Sequence, residues 1–194
     1  PMPAVMSAVV PPKTRSAVIA HAVLREHALA GRQARDRTRP LALGAHGDGD
    51  DVVGDVGSGA GLPGIPIALM RPEATVVLIE PMERRVDWLT MVVDDLGLEN
   101  VRIVRARVED LVDEEMFTVV TARAVKAMAT LVEWTHEVIG PEGRILALKG
   151  ASVDSELVKA KKLLKRYRFG QPTVHLVDGG ILETPSRVVE IAKK

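Results

Sequence analysis

Asp55, Gly57, Gly59 and Gly61 stand at alternate positions in the stretch Asp55-Val56-Gly57-Ser58-Gly59-Ala60-Gly61. Glycines at such spacing let a chain turn tightly and bring its backbone close to a ligand. A glycine triplet alone is a weak signal; a strand before it and a helix after it give it weight. Three nucleotide chemistries compete for this stretch. An NTPase phosphate loop needs Gly-x4-Gly-Lys-Ser/Thr; Gly59 and Gly64 have the spacing, but Ile65 stands where the lysine must be. A dinucleotide loop needs Gly-x-Gly-x-x-Gly, which Gly59, Gly61 and Gly64 satisfy by letter. The third pattern, acidic-x-Gly-x-Gly-x-Gly, is met by Asp55, Gly57, Gly59 and Gly61, and suits S-adenosylmethionine. That ligand carries an ammonium and a sulfonium and no pyrophosphate. A carboxylate at position 55 meets such cations directly or through water, and repels a pyrophosphate. A tight strand-to-helix turn that holds no ligand remains as the plainest alternative.

Further candidates stand where predicted strands end. Leu62 continues the glycine loop. Glu80 ends the second strand, where an acid bonds ribose hydroxyls. Both cofactors contain a ribose, and an exposed strand-end acid reads the same way. Val108 and Glu109 follow the third strand, where backbone groups can read an adenine edge; a plain polar loop fits equally well. Arg123 follows the fourth strand among Thr121, Ala122, Ala124 and Val125. Burying an unpaired charge is costly, so it is expected to pair with Glu109, a cofactor carboxylate or a phosphate. Lys149 follows the fifth strand, as a candidate for the chemistry beside Arg123, for a phosphate contact, or as a solvated strand-end lysine. The run Lys159, Lys161, Lys162, Lys165, Arg166 and Arg168 is either a solvated helix face or a surface for a phosphate backbone, with Lys162 and Lys165 as its candidates. The histidines show no metal-ligand spacing, no metal is expected, and no Ser-His-Asp order or Gly-x-Ser-x-Gly elbow is present.

From residue 52 onward short apolar runs alternate with amphipathic ones. Strands are predicted over residues 52–56, 75–80, 101–105, 118–122, 144–149, 174–177 and 187–192. Helices are predicted over residues 63–70, 83–96, 126–139 and 154–168. Pro63 suits a first helical turn, and Gly97 closes the second helix. Alternation of this kind implies a doubly wound, mostly parallel sheet of seven strands with helices on both faces. The last two strands, joined by a turn around residues 178–180, form a hairpin that gives an antiparallel edge strand. In an open sheet of this type ligands lie beyond the carboxyl ends of the strands, so five strand ends converge on one crevice. Aromatic residues make up only 3% of the 194, so the core must be aliphatic.

Residues 1–50 read as a separate helical or irregular extension, and residues 51–194 as the catalytic domain. From residue 1 to 40 there are seven Lys or Arg against two acids. A helix is predicted over residues 16–34 and a loop over residues 44–51. Cysteine is absent, which excludes disulfides, cysteine-zinc sites and thiolate nucleophiles. Net charge is zero, so nucleic-acid affinity, if any, must come from local patches. No apolar run reaches the roughly 18–20 residues of a membrane span, and no signal peptide is seen. A cytoplasmic monomer with no membrane partner is expected.

Residues 55–194 resemble the RsmG family, also called GidB, methyltransferases of bacterial small-subunit ribosomal RNA. The likeness is carried by Gly61-Leu62-Pro63-Gly64-Ile65-Pro66 after the glycine loop, Arg71-Pro72-Glu73, Glu83-Arg84-Arg85 and Leu98-Glu99-Asn100. Arg107-Val108-Glu109, Ala122-Arg123-Ala124 and Ala147-Leu148-Lys149-Gly150 extend it. The Arg-His-x-Leu-Asp-Ser type motif that the family carries before its first strand is not found in residues 1–50. The resemblance implies a class I, Rossmann-like methyltransferase that uses S-adenosyl-L-methionine. Its implied reaction is methylation of guanine N7 in 16S rRNA, as naked rRNA or in the small ribosomal subunit. It also implies cofactor contacts from Gly57, Leu62, Val108, Glu109 and Arg123, and a place for Arg187 in RNA binding or support of the site.

Guanine N7 carries an in-plane lone pair and no proton, so such a transfer needs alignment and neither a base nor a covalent nucleophile. The absence of cysteine and of an Asn/Asp-Pro-Pro-Tyr motif is in keeping with that chemistry. A small-molecule methyltransferase would need a lid or insertion, and none of size lies between the fifth and seventh strands. A non-enzymatic RNA-binding relative that keeps the fold is the other alternative.

Overall fold

A computed structural model describes residues 51–177 and 186–194. The predicted extension with its helix, nearly all of the loop over residues 44–51, and the turn around residues 178–180 lie outside the described residues. β1 (Val52–Val56) is buried along its whole length, as a strand flanked on both sides and covered on both faces must be. It pairs in parallel with β2 (Thr75–Ile79) and with β4 (Phe117–Arg123). β3 (Val101–Val104) lies beyond β2, and β5 (Ile139–Lys149) beyond β4. β6 (Thr173–Val177) and β7 (Ser186–Ala192) complete one sheet in the order β3-β2-β1-β4-β5-β7-β6. The chain moves outward from β1 to β3 and then returns to β4. The switch point therefore falls between β1 and β4, where such sheets open a ligand crevice.

The expected hairpin is present, but its antiparallel strand lies one place inside the edge. β7 pairs antiparallel with both β5 and β6. Hydrophobicity decides this order. Val188, Val189 and Ile191 of β7 are buried, so β7 has two faces to hide, whereas β6 exposes Thr173 and Leu176 and tolerates the edge.

Helices cover both faces. α1 (Gly64–Met70) and α2 (Glu83–Leu96) lie on one, where Ile65, Ile67, Leu89 and Val93 pack on Val53, Val76 and Leu78. α3 (Met128–Thr135) and α4 (Val153–Arg166) lie on the other, over Val56, Val120, Ile145, Ala147 and Val189. α2 ends at Gly97, whose φ of 60° is the left-handed turn that glycine accepts freely. α3 is shorter than predicted at both ends. Residues 124–127 form a loop, and β5 begins early because Ile139 pairs with Phe117.

Two signature segments act at the amino ends of the strands, away from the crevice. Arg71 pairs with Asp51 and Glu73, tying the end of α1 to the start of β1. Asn100 donates from Nδ2 to the carbonyl oxygens of Ala68 (3.1 Å), Arg71 (3.1 Å) and Ala74 (3.0 Å). The first of these lies in the last turn of α1, where carbonyls lack helical partners, and the other two lie in the turn that leads into β2. Asn100→Ala is expected to destabilise the protein by about 1–3 kcal/mol, the usual penalty for stranding buried acceptors. Urea denaturation checks this, and an unchanged midpoint would show that water satisfies those carbonyls.

Candidate active site

The glycine loop is anchored to the strand beside it. The N–H groups of Gly57 and Ser58 donate to the Ile79 carbonyl at 2.9 and 3.1 Å, and the Gly59 N–H donates to Glu80 Oε2 at 2.9 Å. Gly57, Gly59 and Gly61 have φ values of 67°, 57° and 89°, where other residues are strained. Space is tight as well. A Cβ at Gly61 would stand 2.2 Å from Ile65 Cδ1, and one at Gly64 would stand 2.6 Å from Asp55 Oδ2. The loop thus cannot carry side chains at its turning points. The N–H groups of Gly57, Ser58, Gly59 and Gly61 are engaged inside the fold, which is unlike a nest that points its amides at a pyrophosphate.

Two carboxylates lie beneath this loop. Asp55 is 0% exposed; its Oδ2 accepts the Gly64 N–H at 3.0 Å, and its Oδ1 has no hydrogen-bond partner. Burial pushes the Asp55 carboxyl up to about 7, with the Gly64 N–H, Ser58 and the positive charge of Arg123 opposing that rise and the charge of Glu80 adding to it. Glu80 is 1% exposed. Its Oε1 accepts the Met82 N–H at 3.1 Å, and Arg85 reaches Oε2 at 3.5 Å. A fully buried acid with an orphaned oxygen, next to a second buried acid, favours a ligand with positive charge. The donor set fits S-adenosylmethionine and disfavours a pyrophosphate.

Across the switch point, Arg123 ends β4 with its side chain exposed. This corrects the expectation of a guanidinium buried among small apolar residues: the strand stops being covered at that residue. It lies close enough to act on Asp55 electrostatically. The chain then turns through Ala124, with φ of 55°, and brings Val125 over the loop, its Cγ2 3.0 Å from where a Gly57 Cβ would stand. Val108 begins a short 3-10 helix (Val108–Leu111) and is buried in the core, so its side chain packs while Glu109 stays partly exposed. Leu62 is partly exposed at the foot of α1.

Lys149 is not placed to meet a phosphate. Its side chain is 8% exposed; Nζ donates to the Lys126 carbonyl at 2.7 Å and pairs with Glu156 Oε2 at 2.9 Å. Burial works to raise the Glu156 carboxyl, but Lys149, the Met128 N–H and Ser152 hold it below the ordinary carboxylate range. Arg187 sits directly opposite Lys149 in the β5–β7 register, partly exposed. Lys162 and Lys165 are exposed on α4, in the half of the helix that runs away from the crevice. The chain after α4 meets Lys193 at the far rim through the Phe169–Lys193 bridge, and the Lys193 N–H in turn donates to the Gly143 carbonyl. Asp55, the glycines, Glu80 and Arg123 therefore come together, whereas Lys162 and Lys165 stand apart. Glu156 carried only a weak sequence signal, an acid in the first turn of a helix otherwise read for its lysines.

Residues 38–181 match the GidB family model, described as rRNA small subunit methyltransferase G. The chain belongs to this family. It is 46% identical over 153 residues to ribosomal RNA small subunit methyltransferase G of Arthrobacter sp. (strain FB24), covering 79% of this chain and 68% of that one. It is 47% identical over 139 residues to the protein of that name from Pseudarthrobacter chlorophenolicus, covering 72% and 64%. The chain thus spans about two thirds of the length of the curated relatives it matches. In fold it is similar to an SAM-dependent O-methyltransferase from Thermotoga maritima (TM-score 0.61, 13% identity, 90% of this chain and 71% of that one). Within the GidB family signature the structure separates two groups: Asp55 to Pro66 and Ala122 to Ala124 border the crevice, while Arg71, Glu73 and Asn100 brace the opposite rim. No helix among the described residues is long and apolar enough to cross a membrane.

Asp55 sets a pH dependence of stability. Its folded value lies above the unfolded 3.8, so its contribution is fully present below pH 3.8 and is lost as pH rises through about 7. Urea denaturation between pH 4 and pH 8 is expected to show the protein losing a few kcal/mol that Asp55→Asn does not lose. Parallel pH profiles for the two proteins would mean that Asp55 ionises normally in the fold.

Proposed function

We propose that this chain transfers the methyl group of S-adenosyl-L-methionine to N7 of a guanine in 16S rRNA of the bacterial small ribosomal subunit. The observation that carries the cofactor reading is the pair of buried acids, Asp55 and Glu80, under a glycine loop whose amides are already engaged. Membership of the rRNA small subunit methyltransferase G family supports the choice of RNA as acceptor. Residues 51–194 are the methyltransferase domain in this reading.

S-adenosylmethionine supplies an activated methyl group when bound. Asp55 favours its positive charge from beneath the loop. Gly57, Gly59 and Gly61 keep the surface of the loop free of side chains, and Leu62 borders it. Glu80 offers its remaining lone pairs to ribose hydroxyls. The 3-10 turn at Val108 and Glu109 borders the adenine. Arg123, exposed at the end of β4, meets the cofactor carboxylate or an RNA phosphate. A guanine N7 needs no residue to remove a proton, so the protein's part is to bind, orient and exclude water. Arg187 on β7 is assigned to a phosphate near the base, and Lys162 and Lys165 on α4 to phosphates of the RNA remote from it. Lys149 is assigned to holding the site's framework, since its ammonium already serves two acceptors.

Two measurements test this reading. Calorimetry is expected to show binding of S-adenosylmethionine and none of NAD; the reverse result would mark a dinucleotide enzyme. Tritiated methyl transfer is expected to 30S subunits or 16S rRNA and not to protein alone. The labelled base is expected to be 7-methylguanine. Arg123→Ala is expected to lower turnover by about tenfold or more, in line with loss of one charge-assisted contact at a reacting centre. Unchanged cofactor affinity and unchanged turnover in that variant would remove Arg123 from the site.

A further inference from the structure

Glu156 stands on α4, outside the crevice, and touches the chain that borders it. Its Oε2 accepts the Met128 N–H at 2.9 Å and the Lys149 ammonium at 2.9 Å, and its Oε1 accepts the Ser152 hydroxyl at 3.1 Å. Lys149 donates in turn to the Lys126 carbonyl at 2.7 Å. Two main-chain groups two residues apart, one acceptor and one donor, are thus gripped by one ion pair. Met128 is the first residue of α3, and Ala127 at its N-cap has no side chain that can accept from the helix. A serine or aspartate would ordinarily do this locally. Here the cap is borrowed from another helix, and the lysine that completes it comes from the end of a third element, β5.

The gripped segment is the one that closes over the cofactor loop. It starts at Arg123, whose charge acts on Asp55, turns through the left-handed Ala124, and lays Val125 against Gly57. A local cap would stabilise α3 equally well but would leave this loop free to move relative to β5. The ion pair fixes the chain that follows β4, at Lys126 and Met128, to the end of β5. Both side chains are largely withdrawn from water, at 8% and 20% exposed, so the pair is little screened.

We propose that Glu156 is a positioning residue for methyl transfer, holding residues 123–128 at a fixed height over the glycine loop through Lys149 and the Met128 N–H. The proposal rests on the methyltransferase reading above. It acts on alignment more than on affinity, because Asp55, Glu80 and the glycines make no hydrogen bond with Glu156. Misplacement by an ångström is enough to slow an aligned transfer by about a hundredfold.

The test uses the full chain with Glu156→Ala and Glu156→Gln. Amide hydrogen exchange, with no cofactor or RNA present, is expected to speed up at Met128 and along residues 124–130 in Glu156→Ala. Glu156→Gln, whose amide oxygen still accepts the Met128 N–H, is expected to restore part of the protection. Calorimetry is expected to place S-adenosylmethionine affinity within about threefold of the parent, while single-turnover transfer to the RNA falls by about tenfold or more in Glu156→Ala and by less in Glu156→Gln. Faster exchange with unchanged transfer would reduce the pair to a brace of the fold and overturn the proposal. Unchanged exchange would overturn it outright, and so would a loss of cofactor affinity as large as the loss of rate. If Glu156→Ala does not fold, Glu156→Gln carries the same comparisons. A parent protein that neither binds S-adenosylmethionine nor transfers methyl defeats the methyltransferase reading, and the exchange result then decides the clamp by itself.

Discussion

The carboxylate of Asp55 is held in a place where no water reaches it, with one oxygen accepting the Gly64 N–H and the other without a partner. That arrangement costs stability and shapes everything around it. It needs Gly64 to have no side chain, because a Cβ there would press on the carboxylate and on Leu78. It needs β1 buried between β2 and β4, so that the acid is sealed from the sides. It also leaves the base of the loop short of positive charge. A buried polar group that is only partly satisfied marks a place where the fold gives up stability for function.

The sheet divides its labour between its two ends. At the amino ends, Arg71, Asp51, Glu73 and Asn100 close the turn after α1 with ion pairs and a three-carbonyl contact. At the carboxyl ends, the glycine loop, Glu80 and Arg123 gather round the switch point. Parallel strands make this division possible, since every strand from β1 to β5 delivers its last residue to the same rim. Lys193 adds a further brace: its ammonium donates to the His136 and Ile139 carbonyls just beyond α3, and burial holds it below the ordinary lysine range.

Charge on α4 follows the same logic. Asp154 and Glu156 lie in its first turn, Lys165 and Arg166 in its last, the order that suits a helix dipole. The acidic end borders the crevice and grips the β4–α3 loop through Lys149. The basic end faces solvent at the far rim. The basic run itself is exposed along its whole length, and the helix's structural contact falls to the acid in its first turn.

The alternation of strands and helices, the position of the glycine loop and the acid before it can all be read along the chain. Those are local facts: runs of Val, Ile and Leu make buried strands, and glycine takes at least cost the φ values that Gly57, Gly59 and Gly61 adopt. The family signature was legible for the same reason, as a contiguous string. What each charged residue faces depends on how the elements pack. Arg123 looked buried and is exposed, because β4 loses its cover at its last residue. Lys149 looked available and is occupied, because Glu156 and the Lys126 carbonyl reach it from elements distant in sequence. The placing of β7 inside β6 was likewise a matter of which strand had two faces to bury. Charges take their roles from partners across the fold, and spacing along the chain does not record them.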